Sequence, residues 1–124
     1  MAEHERIGPW LENLANADTP FGLSTLVASG FLRVVTHPRV FVTPTTIETA
    51  VEFVEALRAR PNCVDVSPGP RHWGIFAGLC RATGARGNSV PDAYLAALAI
   101  ESGSEWVTTD GDFARFEGLL WRSP

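Results

Sequence analysis

Apolar residues recur at helical spacing in five stretches of the chain, and each stretch predicts a helix. Thr25–Val35 and the last stretch are almost wholly apolar, so we expect both of these helices to be buried on most sides. The predicted helices are Glu3–Ala15, Thr25–Val35, a segment that Thr45 or Thr46 caps and that runs to Arg58, His72–Thr83, and Pro91–Ile100. The inward faces of the first and third are Ile7, Trp10, Leu11 and Leu14, and Ile47, Val51, Val54 and Leu57.

Short apolar runs between these helices predict β-strands at Phe21–Ser24, Val64–Val66 and Trp106–Thr109. Strands that alternate with helices are typical of α/β proteins with a parallel sheet. The chain has 124 residues and contains no repeat or linker, so we predict one domain, residues 1–124. No apolar run approaches the ~18 residues that a membrane-spanning helix needs, and we expect a cytoplasmic protein.

Composition narrows the class of protein. Hydrophobic residues make up 45% of the chain and charged residues 19%, which excludes a disordered chain. The net charge is −4, and all ten basic residues are Arg. Because nonspecific nucleic-acid affinity comes from phosphate neutralisation, an acidic chain that handles nucleic acid needs metal ions or a local Arg patch. Cys63 and Cys80 lack metal-binding spacing, and we expect two buried, reduced thiols.

Three of the five Asp residues fall at two places that the fold could bring together. Asp92 lies in the first turn of the last predicted helix, and Asp110 and Asp112 follow the last predicted strand. Ligands of α/β proteins collect at the carboxyl ends of parallel strands. Clustered carboxylates repel one another unless a cation intervenes, and Mg²⁺ takes a few carboxylates together with water and substrate phosphate. A magnesium site is therefore one hypothesis for these acids.

A purely structural interpretation of the same acids stays open from spacing alone. Asp92 can stabilise the helix dipole by ~0.3 to 1 kcal/mol, and Asp112 can cap a short following helix by ~1 kcal/mol. Two other metal-dependent classes fit poorly. A calcium-binding EF-hand loop starting at Asp110 would place Arg115 and Trp121 where Gly and Glu are required. A dehalogenase-like phosphatase also has a strand followed by two aspartates one residue apart, but there the motif starts the domain, whereas here the pair lies near the end of the sequence.

The last third of the chain resembles the second half of a PIN-domain nuclease. The resemblance rests on Pro91–Ala99, PDAYLAALA, and on Val107–Phe116, VTTDGDFARF. Leu26–Thr36, with Pro38–Phe41 and Asn62–Arg71, is similar to one branch of the VapC toxins of bacterial toxin–antitoxin pairs. The resemblance implies a PIN-like three-layer α/β fold with a central parallel sheet flanked by helices. It also implies Mg²⁺-dependent cleavage of RNA and inhibition by a cognate VapB-type antitoxin.

Residue by residue, the resemblance implies that Asp92, Asp110 and Asp112 are the metal-binding catalytic acids and that Thr108 fixes a carboxylate. Mg²⁺ is the implied cation, and Mn²⁺ can replace it. We expect RNA as the substrate, an antitoxin as a partner, and a homodimer. Candidate phosphate contacts are Arg33, Arg39 and Arg115. Surface positions are expected for the two histidines that could be proposed as general bases, His37 and His72.

Two positions depart from the family pattern. Gly30 stands where many PIN domains carry an acid, and no apolar strand ending in Asp precedes Glu3. We therefore expect the chain to lack the family's central first strand, so that expression from Met1 without a partner yields a poorly folded, inactive protein. The alternative function is a catalytically inactive PIN-like remnant that only binds an antitoxin.

Overall fold

The computed structural model describes residues 13, 16–37 and 45–124, which fall into two compact units, Met1–Val66 and Ser67–Pro124. The elements of the first unit are β1 (Phe21–Leu23), α1 (Thr25–Val35), α2 (Ile47–Arg58) and β2 (Cys63–Asp65). Those of the second are α3 (His72–Thr83), α4 (Ser89–Ser102), β3 (Trp106–Val107), a 3-10 helix (Gly111–Arg115) and β4 (Trp121–Arg122). The helix predicted at Glu3–Ala15 lies outside the described residues, apart from Asn13.

Each unit contains one pair of parallel strands. β1 pairs with β2, with Phe21 opposite Cys63, and β3 pairs with β4, with Trp106 opposite Trp121. The predicted α/β class with parallel strands is therefore confirmed. β2 begins one residue earlier than predicted, β3 ends two residues earlier, and β4 was not predicted. Runs of two or three residues are too short to show a strand period in the sequence.

α1 begins and ends where the sequence predicts. The Ser24 hydroxyl caps it by accepting a hydrogen bond from the backbone N–H of Leu26 at 3.1 Å. The prediction that this helix is buried is wrong, because none of its residues is buried and Leu26 and Val34 are 44% and 38% exposed. An apolar run with no polar face predicts a helix but does not show how many of its sides are covered.

α2 begins after Thr46, whose hydroxyl accepts a hydrogen bond from the N–H of Thr49 at 3.3 Å. Val54 is buried as predicted, and the three predicted outward glutamates are exposed: Glu48, Glu52 and Glu55. Ile47, predicted to face inward, is instead 58% exposed. It is the first residue of the helix, where helical periodicity alone does not ensure a packing partner.

α4 forms the centre of the core of the second unit. Five of its residues are buried, which confirms the predicted burial of this helix: Ala93, Ala96, Ala97, Leu98 and Ala99. The short Ala side chains allow close packing of the residues around it, which are Leu79, Phe113, Phe116 and Leu119. Gly103 ends the helix in the left-handed conformation, with φ 68°, as glycine readily does. Within the described residues, no helix is long and apolar enough to span a membrane.

His72 and the two cysteines differ from the sequence expectations. His72 is buried at 4% exposure, not at the surface, and its Nε2 lies 3.0 Å from the carbonyl oxygen of Tyr94. The imidazole ring contacts the Tyr94 ring edge-on, with 4.5 Å between ring centroids. This histidine is a packing residue between α3 and α4.

Cys63 and Cys80 are free, as expected, but only half-buried, and partial burial raises the pKa of the Cys63 thiol.

Glu101, near the end of α4, holds the loop before α3. Its carboxylate oxygens accept hydrogen bonds from the backbone N–H groups of Gly69 and Arg71 at 2.7 and 2.8 Å. The Arg71 guanidinium in turn donates to the Glu101 carbonyl oxygen at 2.9 Å. A β-carbon at position 69 would lie 2.7 Å from the carboxylate, so a larger residue there would displace the Glu101 side chain from these hydrogen bonds. This role of Glu101 was not predicted from the sequence.

Glu101→Gln is expected to lower thermal stability at neutral pH and to weaken the loss of stability in acid. The Gly69 hydrogen bond, followed by that of Arg71, holds the pKa of Glu101 below its ordinary value. The folded protein therefore binds this proton less tightly than the unfolded chain. The stabilisation is present above the unfolded pKa, about 4.3, and is lost as the pH falls through the folded value. Melting temperatures of wild type, Glu101→Gln and the exposed control Glu52→Gln across this range test it, and parallel curves for the first two would contradict it.

Candidate metal and nuclease site

Asp92 lies in the first turn of α4, as predicted, where a negative charge interacts favourably with the helix dipole. The helix begins at Ser89, so Pro91 is its third residue and not its first. Proline is tolerated there because the first turn contains N–H groups without intrahelical partners. The Asp92 side chain is 28% exposed, which leaves it accessible to solvent while it contacts the 3-10 helix.

The turn at Asp110 is organised by two local hydrogen bonds. The Thr108 hydroxyl accepts a hydrogen bond from the Asp110 backbone N–H at 3.1 Å, and Oδ1 of Asp110 accepts one from the Asp112 N–H at 2.9 Å. Asp110, and not Asp112, therefore caps the short helix that follows. Thr108 orients the Asp110 backbone, whereas the resemblance implied a bond to a carboxylate.

Arg115, the last residue of the 3-10 helix, forms an ion pair with Asp92. The guanidinium Nη2 lies 3.0 Å from Oδ2 of Asp92, and the guanidinium carbon lies 4.9 Å from the centroid of the Phe116 ring. Arg115 was predicted from the sequence as a phosphate contact, but its carboxylate partner was not predicted. Helical spacing could not show the pair, because the two residues lie on separate elements.

The three acids share one electrostatic environment. Partial burial is the largest cause that raises the pKa of Asp92, and the negative charges of Asp110 and Asp112 raise it further. The Arg115 guanidinium opposes this shift through its charge and its hydrogen bond. Asp92 thus lies within reach of the charges of Asp110 and Asp112, and it pairs with a cation that the sequence pattern did not predict as its partner.

The donors of this site suit a hard cation. They are carboxylate oxygens, and Mg²⁺ typically binds one or two protein carboxylates while it keeps several waters. Within the described ranges, no three Asp, Glu, His or Cys side chains converge closely enough to enclose a metal ion by themselves. An open magnesium site with mostly water ligands fits these residues better than a closed structural site.

The other predicted phosphate contacts are Arg33 and Arg39. Arg33 is an exposed residue in the last turn of α1, in the first unit. Arg39 lies outside the described residues. His37 is half-buried at the end of the segment that follows α1. Of the candidate cations, only Arg115 is placed by the described structure in direct contact with one of the three acids.

Comparison with known proteins agrees with this fold. The family model described as the PIN domain matches residues 2–119. The chain is 45% identical over 124 residues to VapC ribonuclease Mb2897 of Mycobacterium bovis, covering all of this chain and 84% of that protein. It is 42% identical over 116 residues to ribonuclease VapC25 of Mycobacterium tuberculosis, covering 94% of this chain and 82% of the relative.

A solved structure shares the fold at lower identity. It is the crystal structure of VapBC2 from Rickettsia felis bound to a DNA fragment from their promoter, with a TM-score of 0.62 and 19% identity over 91% of this chain and 80% of that one. The chain therefore belongs to the PIN-domain family. Its identity to the curated relatives places it, within that family, among the VapC ribonucleases. The resemblance inferred from the sequence is confirmed.

Proposed function

We propose that this chain is a metal-dependent endoribonuclease toxin of a VapBC-type pair, and that Asp92, Asp110 and Asp112 form its metal site. The observation that carries the proposal is the 3.0 Å ion pair that joins Asp92 to the 3-10 helix that Asp110 caps, in a chain that belongs to the VapC ribonucleases. Family membership supplies the reaction class, and the coupled carboxylates supply a place for it. The match of the PIN-domain model to residues 2–119 supports treating the two units as one domain.

Each residue has a specific part in this proposal. Asp92 and Asp110 bind the cation directly or through its waters, while Asp112 contributes negative charge beside them. A bound Mg²⁺ or Mn²⁺ supplies an activated water and stabilises charge on the phosphate. The Thr108 hydroxyl holds the backbone of Asp110, and the cap that Asp110 makes holds the 3-10 helix. Arg33, Arg39 and Arg115 remain proposed phosphate contacts. We also propose that the protein acts in the cytoplasm, because its proposed substrate is RNA.

Chelation of divalent cations is expected to abolish RNA cleavage. The acids would then lack the cation that activates water and offsets the phosphate charge. The test incubates the purified chain with total bacterial RNA in EDTA, and then with excess Mg²⁺ or Mn²⁺, which should restore discrete cleavage products. Asp110→Asn protein purified in parallel controls for contaminating nucleases. Cleavage that persists in EDTA and depends on Asp110 would contradict the proposed role of the metal.

An antitoxin partner is expected to engage the acidic site. Clustered carboxylates are electrostatically complementary to Arg or Lys, so we propose that a small protein encoded beside this chain inserts a basic side chain there and suppresses cleavage. Joint replacement of Asp92 and Asp110 by Ala should then weaken binding by roughly 30-fold or more, the loss expected for a buried charge pair of about 2 kcal/mol. Calorimetric titration of the two proteins measures this change.

One control variant and two possible outcomes show how the binding result is to be interpreted. Glu117→Gln removes an exposed acid from the same unit and should leave antitoxin affinity within about twofold, since surface substitutions change free energies little. Unchanged binding by the double Asp variant would place the interface elsewhere. Tight antitoxin binding by a wild-type chain that cleaves no RNA would instead favour the alternative of an inactive remnant. Sedimentation of the free chain tests the proposed homodimer.

A further inference from the structure

The Arg115 guanidinium contacts a carboxylate oxygen of Asp92 that a bound metal ion would also use. We propose that Arg115 is a built-in counter-cation of the acidic site, and that a divalent cation that binds Oδ2 of Asp92 displaces the Arg115 guanidinium. The inference rests on the proposed metal site and adds that competition from the Arg115 guanidinium lowers the affinity of this site for a divalent cation. Arg115 is thereby a positioning residue, which holds the Asp92 carboxylate in place before the metal arrives.

The first observation is the geometry of the ion pair. Nη2 of Arg115 lies 3.0 Å from Oδ2 of Asp92, a charge-assisted hydrogen bond that uses one of the two oxygens that could bind metal. Two cations cannot use the same oxygen in this way without strong mutual repulsion. Metal binding through this oxygen therefore requires that the guanidinium leave.

The second observation is that Arg115 is held in this place. Its guanidinium lies over the ring of Phe116, which is 2% exposed and belongs to the core of the second unit. Asp110 caps the 3-10 helix on which Arg115 lies, so one short element carries two of the acids and the cation that faces the third. The ring contact and the capped helix thus favour the position of the guanidinium beside Asp92.

The third observation is that the Arg115 side chain is partly exposed to solvent. The Arg115 side chain is 35% exposed, so solvent can receive the guanidinium when a stronger cation takes Asp92. Burial and the neighbouring acids make the Asp92 charge costly in the absence of a counter-ion. Arg115 supplies that counter-ion in the metal-free protein, and the metal supplies it in the loaded one.

Mn²⁺ binding to the full chain, followed by electron paramagnetic resonance of the free ion, tests the competition. Arg115→Gln should bind Mn²⁺ roughly three- to tenfold more tightly than wild type, the factor expected when a modest ion pair no longer competes. Arg122→Gln is the matched control. Arg122 also pairs with a glutamate of the same unit, Glu105, at 2.7 Å, and its loss should change the affinity less than twofold.

A double-mutant cycle in EDTA tests the ion pair without metal. Arg115→Gln should lower the melting temperature by about 2 to 4 °C in wild type, and by clearly less in the Asp92→Asn background. Equal losses in both backgrounds, or Mn²⁺ affinity in Arg115→Gln that is unchanged or weaker while wild type binds normally, would overturn the inference. Wild type that binds no Mn²⁺ would overturn the proposed metal site, and this inference with it.

Discussion

Asp110→Asn is expected to reduce RNA cleavage on the order of 10²- to 10³-fold, because a ligand to a catalytic cation is worth several kcal/mol in the transition state. The same substitution should leave the melting temperature of the metal-free protein unchanged or slightly higher. The asparagine carbonyl can still accept the hydrogen bond from the Asp112 N–H, so the cap of the 3-10 helix is retained. The change also removes one of the charges that raise the pKa of Asp92.

The comparison with Asp110→Ala separates chemistry from structure. Alanine removes the cap as well as the charge and should cost about 0.5 to 2 kcal/mol of stability, the usual value of an N-cap. If Asp110 is only a turn residue, Asp110→Asn will cleave RNA normally and Asp110→Ala will lose activity only as far as it unfolds. Cleavage rates and melting temperatures of both variants, with Glu117→Gln as the matched charge control, distinguish these cases.

Leu119→Ala is expected to destabilise the protein by about 2 to 5 kcal/mol, a large part of the ~5 to 15 kcal/mol stability of a typical domain. Leu119 is 8% exposed and packs in the core cluster with Phe113 and Phe116. Truncation removes buried apolar surface and leaves a cavity under the 3-10 helix that presents two of the site acids. Cleavage activity should therefore fall with stability.

The next residue provides an internal control for this prediction. Leu120 is 70% exposed, so Leu120→Ala should change stability by no more than about 0.5 kcal/mol. Urea denaturation followed by tryptophan fluorescence measures both variants, since Trp106 and Trp121 pack against the same core cluster. Similar midpoints for the two alanine variants would show that the described packing of Leu119 is wrong.

The positions of the candidate acids could be predicted from the local sequence pattern, but their contacts could not. Asp92 in a first helical turn and Asp110 after a strand were both predicted from the sequence, and the negative charge of Asp110 raises the pKa of Asp92. The details of their contacts were not predictable from neighbours in sequence. Which aspartate caps the 3-10 helix depends on backbone angles at the turn, and which group the Thr108 hydroxyl meets depends on where that turn points.

Within the described residues, the sequence by itself determined where the helices lie. Thr25–Val35 and His72–Thr83 have the predicted bounds, since caps, glycine stops and helical spacing act among residues close along the chain. Only the tertiary structure decided the exposure of α1, the burial of His72, the pairing of β3 with the unpredicted β4, and the pairing of Arg115 with Asp92. Each of these depends on a partner from another element, and spacing within one element carries no information about which partner will be near.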